Sequence, residues 1–221
     1  MGDVTRPGLL ARGPWRPEEV DTDWREDAYE PPPEIVRMAD AAVDGLRERG
    51  SPAHDGLATR LVGWSDEGGR LQLELQPVRW ALRLLEGNAC DSLTALCVVR
   101  AADGRWLAGR RASWVSVWAN RWALGAGGSV DLGESPAQTL SRELREEWRL
   151  APERLSVEAL VALPNSMAML VGLATVDDAA EPVPDAEHDD WAWWPADVDS
   201  WPPEAHDRLR LMARMLAAGS A

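Results

Sequence analysis

Lysine and phenylalanine are missing from the chain altogether, and tyrosine occurs once and cysteine twice in 221 residues. Thirteen tryptophans stand against those absences, which reads as a compositional bias and gives the tryptophans no cofactor meaning. Positive charge is scarce too: 23 arginines face 37 acidic residues, for a formal charge of −14 and a pI near 4.6. Binding to a nucleic-acid backbone needs a basic face, so that class of partner is not expected. An anionic small molecule would need local help from arginines and a metal. Cys90 and Cys97 lie seven apart without metal-ligand spacing, which points to two reduced, buried thiols in an intracellular protein. No run reaches the length of a membrane span and no signal-peptide pattern opens the chain, so the expected setting is cytoplasmic, with no membrane partner.

What is present concentrates in residues 128–150, a glycine-bearing loop followed by an acidic helix. Ser135 can cap orphan amide groups and Pro136 is tolerated at the first helical position, which predicts a helix from Pro136 to Trp148. Ala137, Leu140, Leu144 and Trp148 recur at three- and four-residue spacing and form an apolar stripe facing a core. Glu143, Glu146 and Glu147 sit beside the stripe, with Glu143 next to both other carboxylates. Like charges so placed repel by roughly a few tenths of a kcal/mol per solvated pair, and by more when buried. Oxygen-rich clusters of this kind suit hard divalent cations, Mg²⁺ in particular. The alternative is a solvated helix face with Arg142 and Arg145 as counter-charges.

Loop and helix together narrow the choice. Gly128, five residues, Glu134, seven residues, then Arg142, Glu143, Leu144, Arg145, Glu146 and Glu147 resemble the signature of the Nudix hydrolases, Gly-x5-Glu-x7-Arg-Glu-U-x-Glu-Glu-x-Gly-U, where U is aliphatic. One specified position departs: Arg149 replaces the final glycine, and Leu150 fills the last aliphatic place. A glycine there ends the helix in a left-handed conformation, which costs another residue roughly 1–2 kcal/mol. Pro152 offers another way to stop the helix, so the departure touches helix termination and not the carboxylates.

Around this box the chain divides into three parts. Residues 1–33 hold six prolines and form a proline-rich N-terminal arm that excludes a long helix or central strand, with Trp15, Trp24 and Tyr29 set to lie on a surface. Residues 34–90 read as a small α/β extension. It has an amphipathic helix over 34–49 (Ile35, Met38, Ala42, Leu46), strands over 57–64 and 70–75 joined by a hairpin, and a short helix over 78–85. Such an extension is a candidate to shape substrate choice or a homodimer interface. Residues 91–221 read as the main domain, with strands over 93–100, 105–109, 156–163 and 167–176, and a helix over 203–217 covering one sheet face. Arg110 and Arg111 fall on a loop before the box.

The resemblance implies an α/β fold, a Nudix-type α/β/α sandwich with a mixed sheet, and Mg²⁺-dependent hydrolysis, with Mn²⁺ as a substitute. The bond cleaved would be the diphosphate linkage of a nucleoside diphosphate joined to another group. It implies metal held by the Gly128 carbonyl, Glu143, Glu146, Glu147 and a carboxylate outside the box, for which Glu187 is the first candidate and Asp190 the second. Glu143 or Glu147 would help deprotonate the attacking water, Arg142 and Glu134 would brace loop against helix, and Arg110 and Arg111 would meet substrate phosphates. Pro164 is similar to the ADP-ribose branch and the LELQP segment (73–77) to nucleotide-sugar pyrophosphatases, which makes these two the first substrate classes. Two rivals stay open. One is a Nudix-like nucleotide-binding or regulatory domain that does not cleave, against which three adjoining carboxylates count. The other is an isomerase of isopentenyl diphosphate, which needs a catalytic cysteine near the site.

Overall fold

The computed structural model describes residues 7–50 and 55–219; the start of the arm and residues 51–54 of the extension lie outside the described residues. Strand β1 (Gly8–Trp15) is followed by β2 (Val20–Trp24), helix α1 (Pro33–Glu48), and the pair β3 (Leu57–Glu67) and β4 (Arg70–Arg79). A 3₁₀ turn over Trp80–Leu84 then leads to β5 (Leu93–Ala101), β6 (Trp106–Arg111), β7 (Trp122–Leu124) and β8 (Ala126–Ser129). Helix α2 (Pro136–Trp148), strands β9 (Arg154–Ala162), β10 (Ala168–Val176) and β11 (His188–Trp194), and helix α3 (Asp207–Gly219) complete the chain.

The larger sheet runs β1-β9-β10-β5-β6-β11, with β7 on β6 and β8 on β5. It is mixed, because β10 lies parallel to β5 while the other pairs are antiparallel. Side chains alternate across a strand, and this sheet uses both faces. Leu93, Ala95, Cys97 and Val99 of β5 pack with Leu140, Leu144 and Trp148 of α2. Val98 from the same strand packs instead with Leu209, Ala213 and Leu216 of α3. Helix, sheet and helix therefore stack as an α/β/α sandwich.

The amino-terminal third is built into this body. β1 is the outer strand of the large sheet, and Pro14 is tolerated there because an edge strand has one unpaired side. The second sheet, β2-β4-β3, pushes Leu61, Leu71, Leu73 and Leu75 into the core that α2 closes. Bridges Ala58↔Asp131 and Arg60↔Ser92 join it to the loop before α2 and to the start of β5. The face of α1 is turned from the expected one: Ala39, Val43 and Leu46 are buried and Met38 is exposed, with the buried face packed on Val78 of β4 and on the Trp80–Leu84 turn. That turn replaces the helix expected over 78–85, since β4 continues to Arg79. α3 starts four residues later than expected, at Asp207, after a turn at Pro202 closed by the Ala205 N–H. Among the described residues no helix is long and apolar enough to cross a membrane.

Candidate active site

Helix α2 begins as its sequence requires. Ser135 Oγ accepts from the Gln138 N–H at 3.2 Å, and Gln138 Oε1 accepts from the Ser135 N–H at 2.8 Å. Its other end corrects the expectation about Pro152. Arg149 itself takes the left-handed conformation, φ 57° and ψ 25°, with its N–H on the Arg145 carbonyl at 3.0 Å. The helix thus ends as a glycine would end it, at a cost of about 1 kcal/mol to the arginine.

Burial of the apolar stripe drags two of the three carboxylates inward. Glu147 is 4% exposed and Glu143 9%, whereas the Glu146 side chain stays 58% exposed. Glu147 Oε1 accepts from the Gly127 N–H at 2.9 Å, and its Oε2 is buried without a hydrogen bond among the described residues. Arg111 Nη1 and the His188 ring nitrogen Nε2 both stand 3.6 Å from that oxygen. Burial pushes the Glu147 carboxyl well above the usual range despite Arg111 and the Gly127 amide, and burial also raises Glu143 against the pull of Arg142. A buried carboxylate oxygen without a donor is costly unless a proton or a cation joins it.

Arg142 sits at the centre of the brace. Its guanidinium donates to Glu134 at 3.0 and 3.1 Å, to Glu143 Oε1 at 2.7 Å, to Glu146 Oε2 at 3.1 Å and to the Ser129 carbonyl at 3.0 Å. Glu134 also accepts from Thr139 Oγ1 at 2.8 Å. Loop and helix are thereby locked together. Gly128 fits this lock for a steric reason: a Cβ built on it would lie 2.1 Å from Glu143 Oε1. Its carbonyl accepts from Thr94 Oγ1 across the β5–β8 pairing.

Gly127, Gly128, Ser129, Glu143, Glu146 and Glu147 line a cleft of about 390 Å³ together with Arg111, Asp131, Asp185 and Glu187, while Arg142 and Glu134 stand outside this lining. Arg110 and Arg111 do not share a loop as expected; they end strand β6, and successive side chains on a strand point apart. Arg111 lines the cleft and holds Glu187 Oε2 at 2.8 Å, while Arg110 is turned to Asp189 at 2.8 Å and is absent from the lining. Glu187 borders the cleft, whereas Asp190 receives its own neighbour's Trp191 N–H at 2.8 Å. The acidic loop is tied to the end of α2, with the Val183 and Asp185 amides on the Trp148 and Glu147 carbonyls at 2.9 and 2.8 Å. His188, buried behind the site, packs on Trp148 at 4.4 Å between ring centroids. Cys97 is fully buried, outside the cleft lining, and burial pushes its thiol up to about 12.

The opposite wall comes from the amino-terminal third: Gly56, Leu57, Ala58, Trp80 and Arg83. Arg83 was not legible as a site residue. It lies four residues after Arg79, which is paired with Asp40 and Asp55, and no local pattern distinguishes the two.

Among the described residues, no three His, Cys, Asp or Glu side chains are gathered as they stand into a set able to hold a metal ion. The arginines explain this: Arg142 lies on both Glu143 and Glu146, and Arg111 on Glu187 and near Glu147. The residues nevertheless fit a divalent cation. Glu147 Oε2 has no donor, Gly128 leaves room only for the Glu143 carboxylate, and all the donors are hard oxygens.

Comparison with known proteins bears on the same region. No curated protein matches the chain. Solved structures similar to it include the NUDIX domain of Shewanella oneidensis NrtR complexed with ADP ribose (19% identity, 60% of this chain and 90% of that one, TM-score 0.46). A C. elegans Ap4A hydrolase matches at 20% identity over 57% of this chain and 97% of its own, TM-score 0.46. A MutT NUDIX hydrolase from Burkholderia pseudomallei matches at 22% identity over 57% and 97%, also with TM-score 0.46. The family model of the NUDIX domain matches residues 92–214, more than half of the chain and all of the box, and the chain belongs to the Nudix family.

Proposed function

We propose that the chain is a Mg²⁺-dependent hydrolase of the diphosphate linkage in a nucleoside diphosphate joined to another group, with a nucleotide sugar or an ADP-ribose-like compound as the first class. The observation that carries this reading is the pair Glu143 and Glu147, two buried carboxylates one helical turn apart at the floor of a cleft also lined by arginine. Glu143, Glu146, Glu147, Glu187 and the Gly128 carbonyl would hold the metal, Mg²⁺ or Mn²⁺. A divalent cation bound there supplies charge neutralisation for the diphosphate and acidifies water.

The remaining work falls to the chain's own groups. Arg111 lines the cleft and offers a planar fork that suits phosphate oxygens. Arg142 and Glu134 hold loop and helix in register, which matters because phosphoryl chemistry depends on positioning and charge placement. Glu147, fixed at one oxygen by the Gly127 amide, has its other oxygen free to take a proton from water, and Glu143 is the second candidate base. The buried Cys97 thiol stands apart from the cleft lining, which weighs against the isomerase reading.

The test is release of nucleotide and phosphate from a panel of nucleoside diphosphate compounds, with Mg²⁺ and with a chelator. Metal-dependent cleavage of one class supports the reading and names the substrate. Retained nucleotide binding without turnover across the panel would replace it with that of a nucleotide-binding regulatory domain.

A further inference from the structure

The arginines near the cleft differ in what compensates them. Arg60 is paired with Asp91, Arg79 with Asp40 and Asp55, Arg111 with Glu187, and Arg142 with Glu134, Glu143 and Glu146. Arg83 is the exception. Among the described residues its partners are the Ser129 hydroxyl, which accepts from Nη1, and the Trp80 ring, whose centroid lies 5.8 Å from its Cζ. Its guanidinium is enclosed enough that burial pulls its pKa below the usual range, against the longer-range fields of Glu143 and Glu187 and with the like charge of Arg111. Arg83 is partly buried on the cleft wall, and a cation so placed without a carboxylate in contact is unfavourable. An anion entering the cleft would supply the counter-charge that Arg83 lacks.

Arg83 also lies outside the residues that the family model covers, 92–214. It reaches the cleft because the bridge Ala58↔Asp131 and the bond from Thr59 Oγ1 to the Asp131 carbonyl at 3.3 Å seat the small sheet against the loop before α2. Its hydroxyl partner, Ser129, directly follows Gly128. We propose that Arg83 is a substrate-binding residue for the diphosphate itself, so that the amino-terminal third completes the cleft and Arg83 and Arg111 grip one anion from two walls. The inference rests on the reading that the cleft takes a diphosphate-linked nucleoside. Because both guanidiniums meet the diphosphate, Arg83 serves any member of that class, whatever group is attached.

The competing role is a brace: Arg83 would simply hold Ser129, and with it the Gly128 carbonyl. The full-length chain and its variants R83Q and R83K separate the two. ADP-ribose and UDP-glucose, which share only the diphosphate and ribose, are titrated calorimetrically in chelator, and KM and kcat are measured with Mg²⁺ for whichever is cleaved. Losing one charge-assisted hydrogen bond to the anion predicts that R83Q raises Kd and KM by about 10-fold for both compounds, with kcat and thermal midpoint kept. R83K, which keeps the charge and loses the fork, recovers part of this, and it alone carries the test through a rise of about 3-fold if R83Q does not fold. A fall in kcat and thermal midpoint at unchanged KM would make Arg83 a brace, and a loss confined to one compound would make it a reader of the attached group; either overturns the proposal. If the wild type cleaves and R83Q binds as well as wild type, the inference fails alone. If the wild type neither binds nor cleaves either compound, it fails together with the diphosphate reading.

Discussion

On the α2 side of the cleft, Arg142 donates to three carboxylates and a carbonyl, and Glu147 is fixed by a backbone amide on one oxygen. On the opposite wall, Arg83 has a hydroxyl and an indole ring for partners. The first side is largely satisfied before anything binds, with one buried oxygen left over, and the second carries a charge that is not compensated locally. A site built this way keeps its catalytic groups in place by internal bonds and leaves recognition to a wall whose charge is met by the ligand. The sequence motif covers the first wall only.

Arg142→Ala breaks the satisfied side at its centre. It leaves Glu134 and Glu143 without their cation, and we expect a loss of about 2 kcal/mol in stability, below the figure for a fully buried pair because Arg142 keeps 23% exposure. Urea denaturation measures this, and an unchanged midpoint would mean that the loop is held by something else. Arg111→Ala removes the other arginine that lines the cleft and should raise KM by about 10-fold, with a stability loss of about 1 kcal/mol because its partly enclosed pair with Glu187 is broken.

Cys97 sharpens the contrast from the core beneath the site. Its thiol ordinarily ionises near 9.0 and burial holds it protonated up to about 12. The unfolded chain therefore loses this proton first, so the contribution is fully present below pH 9.0 and is lost as pH rises toward about 12. Denaturation of wild type and Cys97→Ala should show slopes against pH that differ by about 1 kcal/mol per unit between these limits. Parallel slopes would show that the thiol is not enclosed. The smallest effect belongs to Arg110→Ala: an exposed pair with Asp189 predicts a change within about 0.5 kcal/mol and no change in KM.

The sequence made the α2 side readable because its geometry is local. Ser135, Pro136 and the three-and-four spacing dictate a helix, and once the stripe ending in Trp148 is buried, Glu143 and Glu147 must follow it inward while Glu146 stays out. The sheet order and the role of β1 depend on contacts far apart in the chain, such as Gly8↔Ala162, which no local pattern records. The sequence places Arg110 and Arg111 together on a loop before the box, but β6 extends to Arg111 and so turns the two side chains apart. Arg83 became visible only when β3 met Asp131, a contact across more than seventy residues.

The most direct test of the acidic helix as a metal site is a Mn²⁺ titration followed by electron paramagnetic resonance, on wild type, Glu147→Gln and Gly128→Ala. In Glu147→Gln the buried oxygen loses its charge, and in Gly128→Ala the added Cβ meets the Glu143 carboxylate at 2.1 Å. Wild type should bind Mn²⁺ stoichiometrically, and each variant should weaken it by about 10- to 100-fold with its fold retained. Equal Mn²⁺ binding by all three proteins would contradict a metal site on this helix.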